Sequence, residues 1–390
     1  MRYGSVCSGI EAASAAWRHL GWDCAFVSEI EKFPAAVLKE RLPLVPNLGD
    51  FTKIQKGDYD GDIDLIVGGT PCQSYSTAGK QGGIADPRGQ LTLGFADLAR
   101  RTGARWLVWE NVPSVLSSGA GRDFAAFLSL LAGWKVPVPE GGWGNAGICT
   151  NAPGRFGLAW RVLDAQYVRV EQFPGAIPQR RRRIFVVGHL DSWKRAAEVL
   201  FDGELCGGSE KPRREVRKAA AGTDGADDRE NPLCCAIDPR WCNSTVDGAS
   251  PTILSTDYKE PKALVLPYEC YPLDMLNLDG RTKCIKSKCY DENGESAYTI
   301  TKSHPAGVCT PGVLRRMTPV ECERLMGFED DWTRIPWRGR PASECPDGPR
   351  YKAIGNSMCV NCMMWIGERI DTVERTTKRA KSTHKEASDG

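Results

Sequence analysis

Through the first 190 residues, short apolar runs alternate with stretches whose apolar positions recur at helical spacing. The run from Arg2 to Val6 predicts a strand, and Glu11 to Leu20 a helix with alanines on its packing face. A second strand is expected from Asp23 to Ser28 and a second helix from Phe33 to Arg41. The apolar stretch from Asp64 to Val67 ends in Gly68-Gly69-Thr70-Pro71, a strand entering a turn. Thr92 to Arg101 predicts a helix, Trp106 to Trp109 a strand and Phe124 to Ala132 an amphipathic helix, with two more strands at Tyr167 to Glu171 and Arg183 to Gly188. Strands and helices alternating at this spacing predict an α/β sheet covered on both faces. Ligands on such sheets bind outside the carboxyl ends of the strands.

Three stretches break the pattern. Residues 133–157 carry Gly, Pro and Trp and predict an elaborated surface loop. Residues 203–232 are rich in Gly and charge and poor in large apolar groups, the composition of a mobile linker. Between 233 and 312, short apolar pieces separated by turn residues predict a small, irregular, β-rich domain. Helical patterning returns at Thr318 to Met326 and Asn361 to Arg369, and the Lys-rich tail from Thr376 onward is expected to be disordered.

Composition narrows the chemistry. A chain of 390 residues that is 41% hydrophobic and 26% charged can bury a sizeable core. No apolar run suits a bilayer and no secretory leader is visible, so a cytoplasmic protein without a membrane partner is expected. Sixteen cysteines then imply a reducing compartment. With four histidines in the chain, cysteine and carboxylate chemistry are better supplied than imidazole chemistry. The net charge of +2 is unremarkable, but Arg180 to Arg183 form an unbroken basic run.

Cys72 stands directly behind the strand ending at Gly68, before a polar, Gly-containing loop able to close over a substrate. Nearby N–H groups and cations can raise the thiolate fraction of such a cysteine. A lone cysteine is more often structural, so the residue alone leaves both readings open. Glu110, in Trp109-Glu110-Asn111-Val112, falls at the next strand end, where it is either a solvated loop acid or a proton donor beside Cys72. Ser8-Gly9-Ile10 after the first strand and Glu29 after the second form a weak cofactor signal, a glycine for close approach and an acid for ribose hydroxyls.

Read in order, these blocks resemble the DNA cytosine-5 methyltransferases of bacteria and their phages. Val6-Cys7-Ser8-Gly9 matches the cofactor turn, Glu29-Ile30 the ribose block and Asp50-Phe51 the adenine block. Pro71-Cys72-Gln73 matches the nucleophile block, followed by a mobile loop with Ser76, Lys80, Gln81 and Arg88 and, beyond it, Leu91. Glu110-Asn111-Val112, the Gln179-Arg181-Arg183 block, the stretch from Arg315 to Phe328 and Gly355-Asn356-Ser357 complete the set. The resemblance covers about residues 3–190 and 313–370, and departs from the family where Cys7 replaces an aromatic residue and Glu11 a glycine. Glu11 is expected to open the first helix instead.

The resemblance implies a Rossmann-like S-adenosylmethionine-dependent methyltransferase sheet (residues 1–190, completed by 345–372). It implies a smaller, irregular β-rich target-recognition domain and hinge over residues 191–344, leaving 373–390 as the tail. It assigns catalysis to Cys72, Glu110, Arg181 and Arg183, with Cys72 bonding covalently to a cytosine flipped out of duplex DNA. S-adenosyl-L-methionine is expected against Cys7, Ser8, Gly9, Ile10, Glu29, Ile30, Asp50, Phe51, Pro71, Leu91, Asn356 and Ser357. Gln73, Ser76, Lys80, Gln81 and Arg88 are expected at the DNA, with Gln81 filling the vacated stack. Double-stranded DNA is the implied partner of a monomer, and nothing in the chain signals a companion endonuclease. An RNA-acting relative and a catalytically silent DNA-binding paralogue are the alternatives; a zinc deaminase is set aside, since Tyr75 stands where the second cysteine of its Pro-Cys-x-x-Cys motif would fall. The cysteines of the variable region lack zinc-knuckle spacing and are expected to be free thiols, with Cys359 and Cys362 packing in the last helix.

Overall fold

In the computed structural model, residues 1–71, 87–177, 179–201 and 318–388 are described, with four short strands from the region between. One mixed sheet organises the chain. Its strands are β1 (Arg2–Val6), β2 (Asp23–Ser28), β3 (Leu65–Gly68), β4 (Trp106–Asn111), β5 (Ala146–Cys149), β6 (Phe156–Asp164) and β7 (Arg182–Leu190). They lie in the order β2-β1-β3-β4-β7-β6-β5. The first four are mutually parallel, whereas β7 runs antiparallel to both β4 and β6.

Parallel strands covered on both faces read as continuous apolar runs, and β4 is buried at all six positions. Alternation still sorts its side chains: Trp106 and Val108 enter one core, Leu107 and Trp109 the other. Helices α1 (Ala12–Trp17), α2 (Lys32–Arg41), α3 (Pro87–Thr102), α4 (Arg122–Ala132) and α5 (Trp193–Phe201) precede α6 (Pro319–Arg324), α7 (Asp347–Asn356) and the long α8 (Val360–Ser388). Residues of α1 and α8 build the first core, those of α3 and α4 the second. The variable region contributes β8 (Cys235–Ile237) paired with β9 (Ala263–Val265), and β10 (Tyr271–Asp274) paired with β11 (Ala306–Cys309). Its expected linker and its cysteine side chains lie outside the described residues.

Four sequence expectations change. Residues 133–157 are not all loop, because they hold β5 and the start of β6. Two of their glycines are packing glycines: a Cβ on Gly157 would sit 2.1 Å from the Trp193 nitrogen, and one on Gly147 2.2 Å from the Trp160 ring. Tyr167 to Glu171 is not a strand but a turn with one bridge, Val170 to Phe173. There the Asn361 amide donates to the carbonyls of Ala165 and Val168 (2.8 and 2.9 Å), taking the place of a neighbouring strand. The last helix runs past Thr376 to Ser388. Finally, α5 and residues 322–335, assigned from sequence to the recognition domain and hinge, contribute Val199, Leu200, Met326, Trp332 and Ile335 to the catalytic sheet's own core.

Candidate active site

The carboxyl ends of β3 and β4 are clamped together. The Trp109 indole donates to Thr70 Oγ1 at 3.0 Å, and the Asn111 amide donates to the Thr70 carbonyl at 3.1 Å. Thr70 is thus fixed on both sides, and Pro71 follows it. Gly69 lets the two ends approach: an added Cβ would stand 3.0 Å from both Glu110 Oε2 and the Met358 methyl. Cys72, Gln73, Ser76, Lys80 and Gln81 lie outside the described residues, as does the side chain of Arg88 on α3.

Because β7 is antiparallel to β4, its first residues arrive at this same edge. Arg183 Nε meets Glu110 Oε1 at 3.1 Å, with both side chains largely buried. Burial raises the Glu110 carboxyl above its ordinary range, opposed by the positive charges of Arg183 and Arg181. Such a group can carry a proton and still bind as an anion. Arg181 is 2% exposed, and its guanidinium donates to the carbonyls of Gly355 (3.2 Å) and Ser357 (2.6 Å). Its backbone N–H donates to Asp164 at the end of β6 (2.8 Å). Arg181 therefore ties the closing Gly-Asn-Ser block to the sheet. Gln179 is fully buried and donates to the Leu325 carbonyl at 2.8 Å.

A second cluster forms at the ends of β1 and β2. Cys7, Gly9 and Glu11 all have positive φ (49°, 57° and 64°), which folds the backbone into a tight turn. Ser8 Oγ accepts from the Ser28 N–H at 3.0 Å, joining the two strand ends. Glu29 accepts from the N–H groups of Gly9 (2.9 Å) and Glu31 (2.7 Å), while Asn47 holds its backbone from the other side. Burial raises the Glu29 carboxyl, against these N–H donors. The Thr52 hydroxyl lowers that of Asp50. Burial, with Glu29 and Asp50 alongside, pushes the Cys7 thiol up to about 12, so it stays protonated and packs. Ile30 is 74% exposed beside these acids, and nothing lies within 4 Å of where a Cβ on Gly9 or Gly49 would be. An open floor, an uncovered aliphatic side chain and two acids fit a nucleoside-bearing cofactor.

Some expected residues turn elsewhere. The side chains of Ile10 and Phe51 enter the two cores, and Leu91 is half-buried against one of them. Glu11 caps α1 through the Ser14 N–H (3.1 Å), as expected for a residue opening that helix. Cys359 and Cys362 are buried free thiols. Asp164 and the Thr70 clamp were not legible, the former because no strand is read from the sequence over residues 158–164. Among the described residues there is no metal-binding cluster, and no helix is long and apolar enough to cross a membrane.

A seven-stranded α/β sheet with an antiparallel β7 beside β4, and its polar side chains gathered at the parallel strand ends, is the methyltransferase fold. The S. pombe Dnmt2 methyltransferase superposes with a TM-score of 0.51 over 96% of this chain and 99% of its own, at 16% identity. The model of the C-5 cytosine-specific DNA methylase family matches residues 1–220 and 250–372, and the chain belongs to that family. A protein of Escherichia phage P1 named DNA N-6-adenine-methyltransferase is 34% identical over 98% of this chain, which spans 62% of that protein's length. The type II methyltransferase M.DsaV of Dactylococcopsis salina is 22% identical over 99% of this chain and 90% of its own.

Proposed function

We propose that this chain transfers a methyl group to carbon 5 of a cytosine flipped out of duplex DNA, with Cys72 as the nucleophile. The observation that carries the reading is the Glu110–Arg183 pair beside Gly69, three residues before Cys72 in the chain. Carbon 5 of cytosine is a weak nucleophile, and a thiolate adding to carbon 6 activates it. The Cys72 sulfur forms that bond while Glu110 delivers its proton to ring nitrogen 3, leaving an enamine whose electron density sits on carbon 5. Arg183 holds Glu110 in place, and Arg181 adds positive charge that favours the thiolate. S-adenosylmethionine, when bound, supplies the electrophilic methyl group. Glu29 and Asp50 would hold its ribose and adenine, Ile30 would cover the ring, and Asn356 and Ser357 would meet its amino-acid end. After transfer, a water molecule takes the carbon-5 proton, the freed electron pair forms the 5,6 double bond as the bond to Cys72 breaks with its electrons returning to sulfur, and nitrogen 3 hands its proton back to Glu110.

The phage P1 protein's name points to another base. The activity in that name belongs to a protein with a further stretch that this chain does not span. Methylation of an adenine amino group requires no thiol adduct, so the nucleophile block supports cytosine. The test is nucleoside analysis of duplex DNA and tRNA incubated with labelled methyl donor. 5-Methyldeoxycytidine, lost in Cys72→Ala with DNA binding retained, is the expected result. N6-methyldeoxyadenosine, label in tRNA alone, or turnover by Cys72→Ala would each overturn it.

A further inference from the structure

Beside the cofactor cluster, on the same strand-end edge, a groove of about 720 Å³ runs between the first turn of α2 and residues 337–356. Phe33 and Trp337 meet edge to face across it (5.1 Å, 83°), and Asn356 stands among its lining residues. The groove collects four cations (Lys32, Arg338, Arg340 and Lys352) and one carboxylate, Glu31, which Lys352 already neutralises at 2.6 Å. No carboxylate pairs with Lys32, Arg338 or Arg340 among the described residues, and all three are exposed. In a chain whose net charge is only +2, this is a concentrated positive surface.

Two of these cations sit where local preference opposes them. Trp337 and Arg340 exchange both backbone hydrogen bonds at 3.0 Å, closing a hairpin on Arg338 (φ 52°) and Gly339 (φ 79°). A two-residue turn with both central residues at positive φ favours Asn or Gly at its first position. Here it holds an arginine, whose guanidinium lies 5.5 Å from the Trp337 ring. Lys32 opens α2, where a positive charge opposes the helix dipole, and no acid occupies that turn. Local rules broken twice toward one groove mark a functional surface. A polyanionic ligand would supply the counter-charge that the described residues do not.

We propose that this groove grips the sugar–phosphate backbone of the duplex beside the target cytosine, through Lys32, Arg338 and Arg340. The inference rests on the proposed function, which makes the substrate a polyanion presented to this edge. Cations supplied by two separate elements, Lys32 from α2 and Arg338 and Arg340 from the hairpin, suit successive phosphates better than a single carboxylate. Such contacts position the duplex without reading its sequence.

The test uses the full chain and a fluorescent duplex containing the methylated site, with anisotropy titrations over a range of salt. Each phosphate contact given up makes the slope of log affinity against log salt shallower by about 0.9, so Lys32→Gln/Arg338→Gln/Arg340→Gln should lose about 2 to 3. Binding of S-adenosylhomocysteine, followed by calorimetry, should not change. Arg338→Asn suits the turn better, so it should melt no lower than wild type while binding DNA more weakly. An unchanged slope in the triple variant overturns the proposal. Loss of cofactor affinity with the slope intact also does, giving the groove to the cofactor, as does a change in oligomeric state without a change in slope. A wild-type chain that binds no duplex sinks the functional reading as well, which separates the two failures.

Discussion

Glu110 is subject to two opposed influences, burial that disfavours its anion and two arginines that favour it. That balance suits a residue which lends a proton and takes it back. Glu110→Gln keeps the shape and a hydrogen-bonding group but cannot protonate nitrogen 3. Its methyl transfer should fall by about 10²- to 10⁴-fold, the range of general acid–base contributions, with DNA affinity within a few fold of wild type. Single-turnover assays and binding titrations check this, and wild-type rates would remove Glu110 from the chemistry. Glu11 behaves differently. Its buried carboxyl accepts from Ser5, at 2.7 Å, and from Ser14, yet desolvation still raises it to about 7. A raised carboxyl stabilises the fold in its protonated form. That contribution is complete below the ordinary value of 4.5 and is lost as pH climbs through about 7. Its size is up to about 3 kcal/mol. Glu11→Gln has no proton to lose, so its stability relative to wild type should rise between acid and neutral pH. Urea midpoints followed across that window decide it, and a constant difference would mean that Glu11 is not protonated on folding.

At the scale of elements, the join between β6 and α5 is a close backbone approach that leaves no room for a side chain at Gly157. The Cβ of an alanine at 157 would lie 2.1 Å from the Trp193 nitrogen, so α5 or β6 must move. Gly141 has nothing within 4 Å of such a Cβ and no positive φ. Gly157→Ala should therefore cost about 1 to 3 kcal/mol, the usual range for overpacking, while Gly141→Ala should be near neutral. Melting temperatures of the two variants test the contrast; equal values would mean that the join is soft. The same glycine explains what the sequence concealed. The strands β1 to β4 and β7 are legible because each is a compact apolar run ending in turn residues. By contrast, β5 and β6 carry Gly147 and Gly157 at packing positions that resemble punctuation. Acids at strand ends were readable for the same reason as the strands. The anchoring of Arg181 was not, since its acceptors lie on Gly355 and Ser357, more than 170 residues away in the chain.

Across the whole molecule, the chain closes on itself. Helix α8 starts at the site, beyond Ser357, and runs back along the first core, burying Met363, Trp365, Ile366 and Ile370 almost completely. Its backbone accepts the Trp17 indole at Met363 (2.7 Å), and midway along it Glu374 accepts the Trp106 indole at 2.9 Å. Gly367 permits the contact with α1, since a Cβ there would fall 2.3 Å from Trp17 Nε1. The residues leading into it supply the carbonyls that orient Arg181, and its own Asn361 amide shapes the turn at Ala165. Folding of the core and assembly of the site are thus one event, completed by the last part of the chain. A chain ending at residue 355 should lose its cooperative melt and all methyl transfer, because four large apolar residues leave together with Ser357, the nearer of the two acceptors of Arg181. A chain ending at residue 377 keeps Glu374 and everything before it. It should melt within a degree or two of the full chain, since every core residue of α8 named above is retained and changes that spare such features shift stability by only about 0.5 kcal/mol. If the residue-355 chain instead melts cooperatively, α8 is an accessory to the sheet and the site must hold Arg181 by other means.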